Sequence, residues 1–437
     1  MKNSIKISGT IEPFKETISV DGDKSISIRW LLLASQAEGK SKAYGILKSE
    51  DVLSTINCLR KLGVKIFLNS KYCEVVGVGL NGFKIKKNLT LNAGNSGTLA
   101  RLILGLLIHS KNKIKLIGDR SLSRRDFERV IKPLKKFGAK FIYKKKGLPL
   151  IIEGTNKPKA INYFEKKGSA QCKSSIMLAS LNTPGTTIIK AKKSRNHTEL
   201  FFKNLKIPIK IKRKRDFDFI KVSNVKKLNP IDYKIPSDIS SSAFFMVLTA
   251  LTKNSKLLIK NVNINPSRVG IITILKKMGV NIFLRNKRFY KNEKVANILI
   301  KSSSNLKSIK CPPKLNSSAI DEFLLIFLVA AKADGVSTFK NLDELNQKES
   351  PRLKWGSKIL NYLGVKNKLT NSSIKIYGNP NLSNNNKIII KNYLKDHRVF
   401  MTSVIAALSF GGEWHIHDKD AIKTSFPSFL KLINTFK

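Results

Sequence analysis

A polar opening followed by an apolar run at helical spacing recurs six times along the chain, at intervals of about 70 to 85 residues. The runs begin at Gly22 (GDKSISIRWLLLAS), Gly94 (GNSGTLARLILGLL), Ser169 (SAQCKSSIMLAS), Ser237 (SDISSSAFFMVLTA), Ile320 (IDEFLLIFLVAA) and Lys395 (KDHRVFMTSVIAAL). Each predicts a helix opened by a cap-like residue. In several repeats a glycine is expected to close it: Gly39, Gly335 and Gly411. A β-rich stretch such as TTIIKA or SKLLIKNV follows, and then a second, amphipathic helix. Four of these second helices end in a matching phrase: Leu62-Gly63-Val64, Phe137-Gly138-Ala139, Met278-Gly279-Val280 and Leu363-Gly364-Val365. Glycine there suits a left-handed C-terminal cap, and the apolar residue after it starts a strand.

Six helix–strand–helix units of one kind predict two α/β domains of three units each, divided near the IPSD stretch from Ile235 to Asp238. The repeat has a chemical consequence. If every first helix points the same way, the helix N-termini converge, and their free N–H groups and partial positive charge favour anions. The helix openings also carry Lys24, Ser25, Arg29, Asn95, Ser169, Gln171, Asp321, Asp396 and Arg398. A purely structural cap needs only Ser, Thr, Asp or Asn. The added cations point to substrates bearing phosphate and carboxylate.

Composition narrows the choice of partners. The chain has 437 residues, 42% of them hydrophobic, enough for large cores. No apolar run reaches the roughly 18 residues of a membrane span, and the stretch Leu99 to Ile108 is broken by Arg101. The opening MKNSIKISGTIEPFKETIS has no hydrophobic signal region, so a cytoplasmic protein is expected. Cys58, Cys73, Cys172 and Cys311 are widely separated, with neither metal spacing nor a disulfide framework, which fits a reducing compartment. The formal charge of +53 raises the possibility of a basic nucleic-acid-binding protein. The lysines are spread along the whole chain, however, with no clustered face and no stacking aromatics. They read instead as the lysine-rich output of AT-rich codons, with an excess charge that helps to draw in small anions.

The helix openings also carry a family resemblance. The phrases GDKSIS-x-R, GNSGT-xx-R, SLS-x-R, SAQ-x-KS, SR-x-HTE, SDISSSAF, IDE, KES-x-R, DHR and TSFP occur in order over nearly the whole chain. Together they resemble the EPSP synthases, the 3-phosphoshikimate 1-carboxyvinyltransferases of the enolpyruvyl transferase family. The resemblance implies an α/β fold: a two-domain inside-out α/β barrel with three βαβαββ repeats per domain, closing on substrate. Residues 22–236 would form the first domain, and residues 1–21 with 237–437 the second. The reaction implied is attack of the 5-hydroxyl of 3-phosphoshikimate on C2 of phosphoenolpyruvate as C3 gains a proton. Loss of phosphate and of a C3 proton follows. Such chemistry needs a base for the hydroxyl, an acid–base group at C3, and cations beside the phosphate and carboxylate.

Carried onto this sequence, the resemblance makes Asp321 the base and Glu349 the group at C3, with Lys24 completing the catalytic set. Asp321 also stands where a helix N-cap is expected. Phosphoenolpyruvate would be held by Lys24, Asn95, the backbone at Gly97, Arg125, Gln171, Arg352, Arg398 and Lys423. Arginine suits this role because its planar fork grips a phosphate or carboxylate twice. 3-Phosphoshikimate would be held by Lys24, Ser25, Arg29, Ser169, Ala170 through its backbone, Gln171, Ser194, Asp321 and Lys348. No cofactor or metal is expected, nor any nucleic-acid or membrane partner; a monomer acting on two small molecules is. The chain departs from the usual family pattern at Asp21 before GDKS, Ile28 before Arg29, Leu102, Asp126 after Arg125, and Pro351. Glyphosate, an occupant of the phosphoenolpyruvate site in this family, is expected to inhibit. The sister enolpyruvyl transferase acting on UDP-N-acetylglucosamine is the nearest rival, but it typically carries a reactive cysteine where this chain reads SLSRRDF.

Overall fold

The structure is a computed structural model, which describes residues 3–143 and 146–436. The chain divides into two compact units. One comprises Met1–Asp21, Pro236–Tyr290 and Lys294–Lys437; the other comprises Gly22–Ile235 with the short segment Lys291–Glu293.

In the Gly22–Ile235 unit each repeat builds one four-stranded sheet. The second repeat shows the plan. Strand Leu89–Asn92 leads into helix Gly97–Leu107, then strand Ile114–Ile117 parallel to the first. Helix Glu128–Lys136 and the antiparallel strands Lys140–Tyr143 and Leu150–Glu153 complete it. The third repeat follows the same βαβαββ order from Asn162–Glu165 to Phe217–Ser223. The first repeat opens directly on helix Lys24–Ser35, and its missing strand is supplied by Tyr233–Lys234, which pairs parallel to Glu38–Tyr44.

The other unit borrows strands in the same way. Lys15–Ile18 pairs parallel to Lys256–Asn263, and Ser4–Ser8 pairs antiparallel to Glu413–His417. The N-terminal segment therefore completes the first and the last sheet of its unit. The first helices of the repeats are the core. In Ile239–Leu251 every residue is buried, as is all of Lys24–Ser35 beyond Ser25. A helix apolar on every side belongs inside a protein. The strands alternate, as in Thr186–Lys192, and keep one face dry while presenting lysines on the other.

The helix ends show where local pattern sufficed. Gly63, Gly138, Gly279 and Gly364 all have positive φ, between 72° and 110°, as their phrases predict. A fifth copy is present at Leu205-Lys206-Ile207. Lys206 has φ 56°, and the bonds Lys206 N to Lys203 O and Ile207 N to Phe202 O repeat those of Gly63 and Val64. A lysine held in this left-handed region costs about 1–2 kcal/mol, so only tertiary packing reveals the cap. The glycines after the first helices are less uniform than expected. Gly411 does cap its helix, Gly335 follows the cap residue Ala333, and Gly39 lies within a strand, opposite Gly77. Among the described residues, no helix is long and apolar enough to cross a membrane.

Candidate active site

The chemistry-bearing side chains gather at helix starts, in one cluster on each unit. On the Gly22–Ile235 unit, Asp23 caps helix Lys24–Ser35 by accepting from Ile26 N at 2.9 Å. That bond fixes the first turn and places the next residue, Lys24, with its Nζ 3.0 Å from Asp51 Oδ2. One turn later, Arg29 is buried. Its Nε donates to Thr198 Oγ1 at 2.9 Å, Nη2 to Ser174 Oγ at 3.2 Å, and Nη1 to the Ser25 carbonyl at 3.0 Å.

A second group of cations surrounds the start of helix Gly97–Leu107. Arg101 Nη1 donates to Gln171 Oε1 at 2.7 Å, and Gln171 Nε2 donates to Thr98 Oγ1 at 3.1 Å. Arg125 Nη2 donates to Asn95 Oδ1 at 3.0 Å, while Asn95 Nδ2 donates to Asp119 Oδ2 at 2.6 Å. Both guanidiniums converge on Gly97: a Cβ there would lie 3.0 Å from Arg101 Nη1 and 3.0 Å from Arg125 Nη1. Of the adjacent pair, Arg125 joins this cluster and Arg124 is exposed. Ser169 caps its helix, accepting from Cys172 N at 3.2 Å, and Ala170 is the first helical residue. Ser194 Oγ is buried and has no hydrogen-bond partner among the described residues. Ile28 and Leu102 are fully buried on the core sides of their helices.

On the other unit the centre is Arg352, which is 3% exposed at its side chain. Nε lies 2.9 Å from Asp396 Oδ2, and Nη2 lies 3.2 Å from Asp396 Oδ1, a two-pronged grip on a fully buried carboxylate. Nη2 also meets Glu349 Oε2 at 2.5 Å, and Nη1 reaches Asp321 Oδ1 at 3.4 Å. Lys348 Nζ is 3.4 Å from the same Asp321 oxygen. Ser350 donates its backbone N and its hydroxyl to Asp396 Oδ2 at 3.2 and 2.9 Å. Burial alone would lower the Arg352 pKa, but Asp396, Glu349 and Asp321 outweigh it and hold the group above its ordinary value. Burial likewise pushes Asp396 up, and the Arg352 cation overcomes it, leaving the carboxyl below its usual range.

Asp321 is not a cap. Its helix, Phe323–Lys332, has Glu322 at the N-cap position with no side-chain cap bond. Glu322 instead accepts from Ser240 Oγ at 2.5 Å and lies 3.5 Å from Arg398 Nη1. Asp321, one residue earlier, is thereby left to face Lys348 and Arg352. Of the other residues expected at helix openings, Ser169 and Asp396 are true caps. The other first helices with a side-chain cap take it from Asp23, Ser96 and Asp238. Lys423 is exposed on the turn Lys419–Thr424 and makes no hydrogen bond or ion pair among the described residues. Its neighbour Thr424 contacts His397 Nδ1 at 3.2 Å.

Sequence reasoning missed Arg101, Asp51 and Thr198 in the first cluster, and Asp396 and Glu322 as anchors in the second. Arg101 had a signal, since it stands four residues, or about one turn, beyond Gly97. The other partners come from distant segments and carry no local mark.

An α/β chain of repeated units with cation-ringed helix starts defines a class. The structure matches the enolpyruvyl transferase NikO from Streptomyces tendae with a TM-score of 0.77, at 11% identity and over 99% of this chain and 97% of that one, so the two share a fold. It matches the EPSP synthase of Acinetobacter baumannii more closely, with a TM-score of 0.87 and 35% identity over 99% of this chain and 98% of that one. The family profile described as EPSP synthase (3-phosphoshikimate 1-carboxyvinyltransferase) matches residues 9–433. Proteins of that name from Ruthia magnifica and Syntrophomonas wolfei are 41% and 36% identical over 95% and 98% of this chain, and over 94% and 99% of their own. The chain belongs to the EPSP synthase family.

Proposed function

We propose that the chain transfers the enolpyruvyl group of phosphoenolpyruvate to the 5-hydroxyl of 3-phosphoshikimate and releases phosphate. The observation that carries the chemistry is the pair of carboxylates, Asp321 and Glu349, on one buried guanidinium. Asp321 takes the hydroxyl proton, and the form a base needs is the ionised one, to which Lys348 and Arg352 each offer a cation. Glu349 delivers a proton to C3 as the new C–O bond forms at C2, and removes a proton from C3 as the phosphate leaves. Lys24 joins them as the cation that follows the departing phosphate.

Phosphoenolpyruvate is assigned to Lys24, Asn95, the Gly97 backbone, Arg125, Gln171, Arg352, Arg398 and Lys423. The acceptor is assigned to Lys24, Ser25, Arg29, Ser169, Ala170, Gln171, Ser194, Asp321 and Lys348. The buried Ser194 hydroxyl, which has no hydrogen-bond partner among the described residues, and the buried Arg29 support the placement of a phosphate. The enzyme is proposed to act as a monomer in a reducing cytoplasm. All four cysteines are buried free thiols, and burial pushes Cys58 and Cys73 up to about 12, which keeps them inert.

The test is phosphate release from phosphoenolpyruvate with each acceptor. Release is expected with 3-phosphoshikimate and not with UDP-N-acetylglucosamine; the opposite pattern would overturn the reading. Glyphosate is expected to compete with phosphoenolpyruvate. Gly97→Ala should weaken both ligands, because the added methyl sits 3.0 Å from two guanidiniums that must close on them. A KM for phosphoenolpyruvate raised by about tenfold is expected, the scale of an ångström-sized misplacement or less. An unchanged KM would remove Gly97 from the site.

A further inference from the structure

The loop 193–196 carries Ser194, and the helix that follows it, His197–Asn204, begins without a side-chain cap. Something else must hold its first turn. His197, Thr198 and Glu199 are all buried, and each is tied to another part of the chain. Thr198 Oγ1 accepts from Arg29 Nε at 2.9 Å and lies 2.7 Å from Ser174 Oγ. Glu199 Oε1 pairs with Lys173 Nζ at 2.5 Å. These partners stand on two first helices of the same unit. His197 is different: its Nδ1 lies 2.6 Å from Glu293 Oε1, a residue 96 positions further along the chain.

Glu293 arrives at the turn of a long hairpin. Strands Asn281–Tyr290 and Glu293–Lys301 are joined by Lys291 and Asn292, both with positive φ, the tight turn that follows strand twist. The segment Lys291–Glu293 packs as part of the Gly22–Ile235 unit. Lys291 Nζ donates to the Asp232 carbonyl and lies 5.7 Å from the Tyr233 ring centre. Tyr233 in turn lies 5.2 Å from Phe201, on the second turn of the same helix. The hairpin turn thus reaches the first turn of helix His197–Asn204 through Glu293 and the second through Tyr233.

Packing alone does not call for a carboxylate here. Burying Glu293 at 1% exposure is costly unless a strong partner compensates. A short carboxylate–imidazole bond supplies one, and it also fixes the orientation of the ring, as it does for histidines that must be held in place. We propose that Glu293 is a positioning residue for substrate binding: through His197 it sets the first turn of the helix and so the place of Ser194 in the loop before it. The inference rests on the assignment of Ser194 to the phosphate of 3-phosphoshikimate.

The test is a double-mutant cycle on binding, read by titration with 3-phosphoshikimate and by KM for each substrate. Glu293→Ala is expected to weaken 3-phosphoshikimate binding about tenfold while KM for phosphoenolpyruvate stays within about twofold. Glu293→Gln keeps an oxygen for the His197 N–H and should recover most of the affinity. Ser194→Ala should also weaken binding, and the double variant should lose less than the product of the two single losses. If Ser194→Ala binds normally, the assignment of Ser194 falls and this inference falls with it. If Ser194→Ala weakens binding while Glu293→Ala does not, or if the losses multiply, the positioning role alone is overturned. Should Glu293→Ala not fold, the cycle is run with Glu293→Asp, whose shorter chain withdraws the carboxylate from His197 and should reproduce the loss; normal binding by that variant would overturn the inference.

Discussion

Asp321→Asn is expected to lower turnover by roughly 10²-fold or more, the scale of losing a general base, while the melting temperature barely moves. Stability should hold for a reason other than capping, since Asp321 does not cap its helix. Asparagine keeps an oxygen for Lys348 and Arg352, whose contacts with Asp321 are long, 3.4 Å each, and the site is partly exposed to water. Turnover should fall because an amide cannot take the hydroxyl proton. Glu349→Gln should also lose turnover, and it should slow deuterium uptake at C3 of phosphoenolpyruvate, which Asp321→Asn should affect less. Purified variants, thermal melts, turnover and deuterium exchange measure all of this. Near-normal turnover in folded Asp321→Asn would remove it as the base.

The second large effect concerns stability. Asp396→Ala should cost about 3–5 kcal/mol, the usual penalty for stranding one partner of a buried ion pair. Asp396 is fully buried and accepts from Arg352 twice, from the Ser350 backbone and hydroxyl, and from Arg398 N. Its removal leaves Arg352 at the same depth with Glu349 and Asp321 as its remaining ion-pair partners among the described residues, and uncaps helix His397–Phe410. The sign of the pH dependence follows from the lowered pKa of Asp396. Its contribution is fully present above the ordinary carboxyl value and is lost as the pH falls through its own, lower one. The deficit of the variant should therefore be greatest near neutral pH and shrink in acid. Melting temperatures across that range test it, and a variant as stable as the parent at neutral pH would show that the pair contributes nothing.

The two effects divide the cluster by role. Asp396 is an anchor that fixes Arg352, and Asp321 and Glu349 are the carboxylates that Arg352 holds side by side. Sequence reading singled out Asp321, Glu349 and Arg352, which stand in recognisable phrases, and the structure brings the three together. The same reading placed Asp396 only as a cap. The carboxylate's grip on Arg352, 44 residues earlier in the chain, carries no local signature.

What the sequence determined by itself was whatever is written at short range. A polar, cap-like opening followed by an apolar period specifies a helix start; this chain repeats that pattern six times, and five of these helices carry a side-chain cap. The motif phrases at those starts sufficed for the family, and the glycine phrases sufficed for four helix ends. Tertiary structure decided what depends on partners remote in sequence. Strands Tyr233–Lys234 and Lys15–Ile18 each complete a sheet that their own neighbours in the chain do not build. Lys206 adopts a glycine's conformation between the buried Phe202 and Ile207, against its local preference. Arg29 is oriented by Thr198, and His197 by Glu293, across 169 and 96 residues. A buried polar group must find its hydrogen bond somewhere, but its own side chain does not say where. That choice is made only when the cores have formed and brought distant segments within 3 Å of one another.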